Sequence, residues 1–166
     1  MRRILATWII LTIGTTALAQ NSMNTDSFEA ITVRKAKEVE LDIKTSQITR
    51  IEGPVDLTFE AKEKVNNLDL KADTIQVRYT NANDKAPSFI HMEDNLDINI
   101  QGYNILSEKA DIDLDKGLAT FTGKTIVAMP DTDPITTQGM TLNMNTNKLL
   151  LISPNIPRLS LNDTKP

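Results

Sequence analysis

The chain has 166 residues, no Cys, a single His and seven aromatic side chains, with a formal net charge of −4. The absence of Cys excludes a disulfide scaffold, a thiolate-held zinc or iron–sulfur site and a thiol nucleophile. The lone His91 excludes a multi-histidine metal site and argues against a His-dependent triad. The acidic balance also lacks the clustered Lys and Arg that phosphate neutralisation needs, so no nucleic-acid partner is expected.

In chain order, Arg2 and Arg3 precede an uncharged run, residues 4–19 (ILATWIILTIGTTALA), that ends in the small-x-small pattern Ala17-Leu18-Ala19. This is the layout of a cleavable secretory signal. The run is shorter than the roughly 20 apolar residues of a spanning helix; the alternative reading is an anchor that is not cleaved. No Cys follows it, which excludes a lipoprotein anchor. Cleavage after Ala19 would leave 147 residues with a net charge of −6 and remove Trp8, the only Trp. Residues 20–29 are expected as a flexible N-terminal segment, 30–152 as the folded domain and 153–166 as a Pro-containing tail.

The folded part reads as strand after strand, because apolar and polar residues alternate with period 2. The first run is 39–44 (VELDIK). Residues 55–62 (VDLTFEAK) set Val55, Leu57 and Phe59 on one face. Residues 68–73 do so with Leu68 and Leu70, and 75–80 with Ile75, Val77 and Tyr79. Residues 96–101 place Leu96, Ile98 and Ile100 together, 110–115 place Ile112 and Leu114, and 140–145 place Leu142 and Met144. Phe121 and Phe89 join Phe59 and Tyr79 as the aromatics expected to face inward. The continuous run 149–152 (LLLI) predicts a strand buried on both sides.

Connectors between these runs carry Gly: Gly53, Gly102, Gly117 and Gly123 each read as a break between strands. Residues 81–87 and 129–134 read as longer polar loops. The best helix candidate, 61–65, is too short to form alone. A weak repeat runs through the chain. Lys71-Ala72-Asp73 recurs as Lys109-Ala110-Asp111, and Gly139-Met140 holds the equivalent place later. Gly53-Pro54-Val55, Asp94-Asn95-Leu96 and Gly123-Lys124-Thr125 form a second set. Each unit offers one apolar stripe that needs neighbours to cover it, which favours stacked hairpin rungs.

Segments that invite chemistry have simpler readings. Asp111, Asp113 and Asp115 lack the Gly and Glu positions of a calcium loop and fall on one strand face. Gly123-Lys124-Thr125 lacks the upstream Gly of a phosphate-binding loop. His91 shares a strand face with Phe89. Asp131 and Asp133 lie in a Pro-bounded loop, and Asn162-Asp163-Thr164 is a bare glycosylation triplet. No catalytic residue, metal or cofactor is expected.

The order Gly-x-Val-x-apolar followed by an Ala-Asp strand opening resembles the LptA/OstA family. It is carried here by Gly53-Pro54-Val55-Asp56-Leu57, Leu70-Lys71-Ala72-Asp73, Asn95-Leu96-Asp97-Ile98, Lys109-Ala110-Asp111-Ile112-Asp113, Gly123-Lys124-Thr125-Ile126-Val127 and Gly139-Met140-Thr141-Leu142. The resemblance covers residues 30–152. It departs where the family commonly has Gly-Asn-Val and where Gly139-Met140 replaces a third Ala-Asp, which leaves a divergent paralogue open. The resemblance implies an all-β, open-ended antiparallel β-jellyroll, a V-shaped roll with little or no helix. It further implies a periplasmic carrier or bridge that shields lipopolysaccharide acyl chains. The lipid-facing candidates would be Val55, Leu57, Phe59, Leu68, Leu70, Ile75, Val77, Tyr79, Leu96, Ile98, Ile100, Ile112, Leu114, Phe121, Leu142 and Met144. By the same resemblance, edge strands would meet LptC-like and outer-membrane LptD-like proteins or further copies head to tail. The alternatives are an exported β-solenoid used structurally or for glycan binding, and an anchored LptC-like relative if residues 4–19 are retained.

Overall fold

Among the described residues, period-2 alternation becomes nine antiparallel strands: β1 (Phe28–Lys35), β2 (Glu38–Asp42), β3 (Gln47–Ala61), β4 (Leu68–Arg78), β5 (Phe89–Ile100), β6 (Tyr103–Asp113), β7 (Leu118–Ala128), β8 (Ile135–Asn143) and β9 (Lys148–Ile152). These come from a computed structural model that describes residues 28–84, 86–130 and 132–155. The expected signal sequence, Asp131 and the tail from residue 156 lie outside the described residues. Among the described residues no helix is long and apolar enough to cross a membrane.

One sheet contains all nine strands, in the order β1-β3-β4-β5-β6-β7-β8-β9, with β2 also pairing β3. β1 lies along residues 56–61 of β3 and β2 along residues 47–52, so the two act as one bent strand. Among the described residues no strand joins β1 or β2 to β9, and the described sheet is open at both ends. It has one apolar face and no second layer, so it covers that face by folding on itself. Each long strand crosses the fold and contributes one half to each of two wings.

The fold line is written in the register. Each ladder from β3–β4 to β7–β8 slips near its middle. Inward positions step by four residues across the corner in β3, β5 and β7 (Ile51 to Val55, Met92 to Leu96, Phe121 to Thr125). They step by three in β4, β6 and β8 (Ala72 to Ile75, Ser107 to Ala110, Thr137 to Met140). The extra residue on every second strand is a bulge, which bends the strand. Left-handed backbone marks these bulges, with φ of +91° at Gly53, +62° and +55° at Asp94 and Asn95, and +87° at Gly123. Asn95 Nδ2 donates to Asp73 Oδ2 across the corner at 2.6 Å.

The all-β, open jellyroll reading holds, and the weak repeat is the corner itself. Three local expectations change. Gly53 and Gly123 do not separate strands; they sit inside β3 and β7 where those strands bend. The 149–152 run is not buried on both sides, because β9 is an edge strand with Leu150 66% and Ile152 54% exposed. The apolar side chains of 39–44 are likewise uncovered at the other edge, with Ile43 92% exposed. Beside residues 61–65, read as too short to form a helix alone, there is a single 3-10 turn, Lys64–Asn66.

Candidate functional site

The inner faces of the two wings meet in one continuous apolar interior. The first wing supplies Val55, Leu57 and Phe59 from β3, Leu68 and Leu70 from β4, and Leu96, Ile98 and Ile100 from β5. The second supplies Ile75 and Val77 from β4, Ile112 from β6, Phe121 from β7 and Leu142 from β8. Leu114 and Met144 close the rim of the second wing from hairpin turns. Fifteen of the sixteen candidates are buried, and most have no exposed surface. Tyr79 alone is only partly buried, at the wing's outer margin. Phe89 faces outward under Arg78, whose guanidinium carbon lies 4.4 Å from the ring centre.

Alternation missed further inward residues because their runs are short or interrupted: Ile51, Ile90, Met92, Ile105, Val127 and Ile135. It also missed three hydroxyls on the fold line. Ser107, Thr125 and Thr137 are buried where the register slips leave peptide groups without ladder partners. Ser107 Oγ lies 2.9 Å from Thr125 Oγ1, and Thr125 Oγ1 donates to the Gly123 carbonyl at 3.1 Å. Thr137 Oγ1 accepts from Ile152 N at 3.1 Å and reaches the Gly139 carbonyl at 2.8 Å. The matching inward positions toward the N-terminus are Val55, Ala72 and Leu96, so the hydroxyl row braces only the C-terminal half of the corner. Thr137→Val keeps the shape but leaves buried backbone groups unpaired. It is expected to cost about 1–3 kcal/mol, read as a lower urea midpoint.

The ends differ. Toward the N-terminus a cleft of about 580 Å³ separates Glu29, Ala30 and Ile31 of β1 from the β2–β3 turn, Tyr79 and the loop at Ala82–Asp84. Ile31, Ile48 and Tyr79 supply its apolar floor, and Lys44, Gln47 and Asp84 its polar rim. Burial pushes the Tyr79 hydroxyl above its ordinary value, opposed by a hydrogen bond with the Ile48 backbone. Toward the C-terminus the wings are tied together, because Gln101 Nε2 donates to the Met144 carbonyl at 3.1 Å.

Titratable groups lie on the outer faces. His91 Nδ1 is 2.7 Å from Asp111, and Lys109 Nζ is 2.8 Å from Glu93. The hydrogen bond and charge of Lys109 hold the Glu93 carboxyl below the usual range. Asp113 is raised by burial but lowered on balance by the Lys116 side chain and backbone. Such exposed pairs are screened by solvent and add little to stability. No grouping of three or more potential metal ligands occurs among the described residues.

No protein-family profile matches the chain, and no curated protein matches it in sequence. The fold is similar to that of LptH from Pseudomonas aeruginosa, described as the LptA homologous periplasmic component of the conserved lipopolysaccharide transport device. The two superpose with a TM-score of 0.58 at 12% identity, over 87% of this chain and 92% of that one. The likeness is one of fold.

Proposed function

We propose that this chain is an exported, non-enzymatic carrier that shields lipopolysaccharide acyl chains in its interior on the way from inner to outer membrane. The observation that carries the reading is the interior itself: one continuous, largely aliphatic seam runs across the described open sheet. The fold shared with LptH supports it. Burying a methylene is worth about 0.8 kcal/mol, so a twelve-carbon chain gains roughly 9 kcal/mol on leaving water. A seam of this kind lowers the barrier to crossing an aqueous compartment without any covalent step.

The interior is filled by side chains, so an acyl chain is admitted only when the wings part. The hydroxyl row and the Gln101–Met144 bond hold the C-terminal half, whereas the cleft beside Ile31, Ile48 and Tyr79 offers a starting point. The edges fit partners. Among the described residues, β2 and β9 each have one edge that pairs with no other strand, beside uncovered apolar side chains, which suits β-strand addition by LptC-like or LptD-like proteins or a second copy.

Photocrosslinking in cells tests the carrier reading. A photoreactive residue replaces Leu70, Ile98 or Leu142 in turn, with Asp97 on the outer face as control, and circular dichroism confirms folding. Lipopolysaccharide adducts at the three inward sites and none at Asp97 are expected. Equal labelling at all four sites, or no adducts, would overturn the reading.

A further inference from the structure

Among the described residues, the non-Gly positions with positive φ are Ser46, Asp94, Asn95, Gln101, Asn147 and Ser153. All but one are Ser, Asp or Asn, whose short polar side chains bond to nearby backbone and tolerate the left-handed conformation. Gln101 is the exception, at φ +49°. It forms the β5–β6 hairpin turn with Gly102, at φ +83°. A two-residue turn with both φ values positive favours Asn-Gly. A Gln held in that conformation is an outlier, and a strained position of this kind calls for a use of its side chain.

The use is visible across the mouth of the roll. The β5–β6 turn stands at the free tip of the first wing, and Met144 opens the β8–β9 turn at the tip of the second. Gln101 Nε2 donates to the Met144 carbonyl at 3.1 Å, so one hydrogen bond spans the two tips. The receiving end is held firmly. Met144 N donates to the Gly117 carbonyl at 2.8 Å, and Asn145 Nδ2 donates to the Lys116 carbonyl at 3.1 Å. The β8–β9 turn is therefore anchored to the β6–β7 turn, and a pull on Met144 is a pull on two hairpins. The buried hydroxyls Ser107, Thr125 and Thr137 brace the fold line of the same half. The C-terminal half is thus tied along both long sides of its interior, at the corner and at the mouth.

We propose that Gln101 is a clasp, whose bond to the Met144 carbonyl sets how often the wings part in the C-terminal half and so governs access to the seam there. A clasp made of one neutral hydrogen bond is worth a modest shift in population, which suits a contact that must open and close again. What is admitted through the opening rests on the carrier reading, whereas the clasp itself does not.

The chain has no native Cys, so an introduced thiol reports opening directly. Ala119→Cys places it in β7 opposite Leu142, where Ala119 has no exposed surface. Val77→Cys in β4 is the matching buried site in the N-terminal half of the same wing. Each is combined with Gln101→Asn, which suits the turn but has a shorter reach, and with Gln101→Glu, which keeps the reach but has no N–H to donate. Alkylation by N-ethylmaleimide in the absence of denaturant is expected to quicken roughly three- to tenfold at Ala119→Cys, the population change that one net hydrogen bond represents. The rate at Val77→Cys should stay unchanged in both variants, and the Gln101→Asn urea midpoint should not fall. An unchanged rate at Ala119→Cys in either variant would overturn the clasp. Equal acceleration at the two thiols with a lowered midpoint would also overturn it, by making the bond one more contribution to global stability. Lipopolysaccharide adducts at a photoreactive Leu142 separate the two readings: faster alkylation with no adducts would leave the clasp in place and remove the carrier.

Discussion

An Ile98→Asp chain is expected to lose its cooperative unfolding transition. Ile98 has no exposed surface and is paired with Leu70 on one side and Ile105 on the other, both equally buried. No cation stands among these neighbours. A carboxylate placed there is either stripped of water or forced to take up a proton, and both are costly. Added to the lost packing, the penalty is about 4–5 kcal/mol or more, against a total stability of roughly 5–15 kcal/mol for a domain. Asp97→Asn is the neighbouring control. Asp97 points outward to Lys71 at 3.1 Å, in an exposed pair worth at most about 1 kcal/mol. Urea titration followed by circular dichroism should leave the Asp97→Asn midpoint almost unmoved and flatten the Ile98→Asp curve. A normal sigmoid for Ile98→Asp would mean that the seam is already open to water.

The second large effect is expected at the corner of β3. Gly53 and Gly102 both have left-handed backbone, at φ +91° and +83°. A Cβ on Gly102 meets nothing within 4 Å, whereas one on Gly53 falls 2.3 Å from Lys37 Cβ and 3.1 Å from Lys37 N. Lys37 N is also tied to the Glu52 carbonyl at 2.8 Å, so it cannot retreat without breaking that bond. Gly102→Ala should cost about 1–2 kcal/mol, the conformational penalty alone. Gly53→Ala should cost about 2–4 kcal/mol, because overpacking adds to it. Equal urea midpoints for the two variants would show that the β1–β2 corner does not rest closely on Gly53.

Much of this architecture is legible in the sequence, and the failures have a common cause. Alternation reports which face a side chain takes, and it placed Leu57, Leu70, Ile98 and Leu142 correctly on the inner face. It does not report whether a Gly ends one strand or bends it. Gln101-Gly102 is a tight hairpin turn with two positive φ values, while Gly53 and Gly123 lie inside strands. Both situations look alike as a polar break between alternating runs. The distinguishing mark is the step between inward positions, four on one strand and three on the next. Exposure of Leu150 and Ile43 was invisible for another reason: composition does not say whether a strand has one neighbour or two. Ser107, Thr125 and Thr137 read as ordinary polar positions, because their duty to broken ladders exists only once the corner has formed.

The alternating corner also limits how such a roll changes length. A strand that needs the four-residue step must be followed by one that needs three, so losing a single strand would put every later side chain on the wrong face. Length therefore changes in whole hairpins. Each added pair moves the two ends apart by roughly 9.5 Å at the usual strand spacing. A roll of this kind can thus adjust its span only in discrete increments, by duplication or loss of a bent hairpin, while substitutions within a strand tune the seam and leave its reach unchanged.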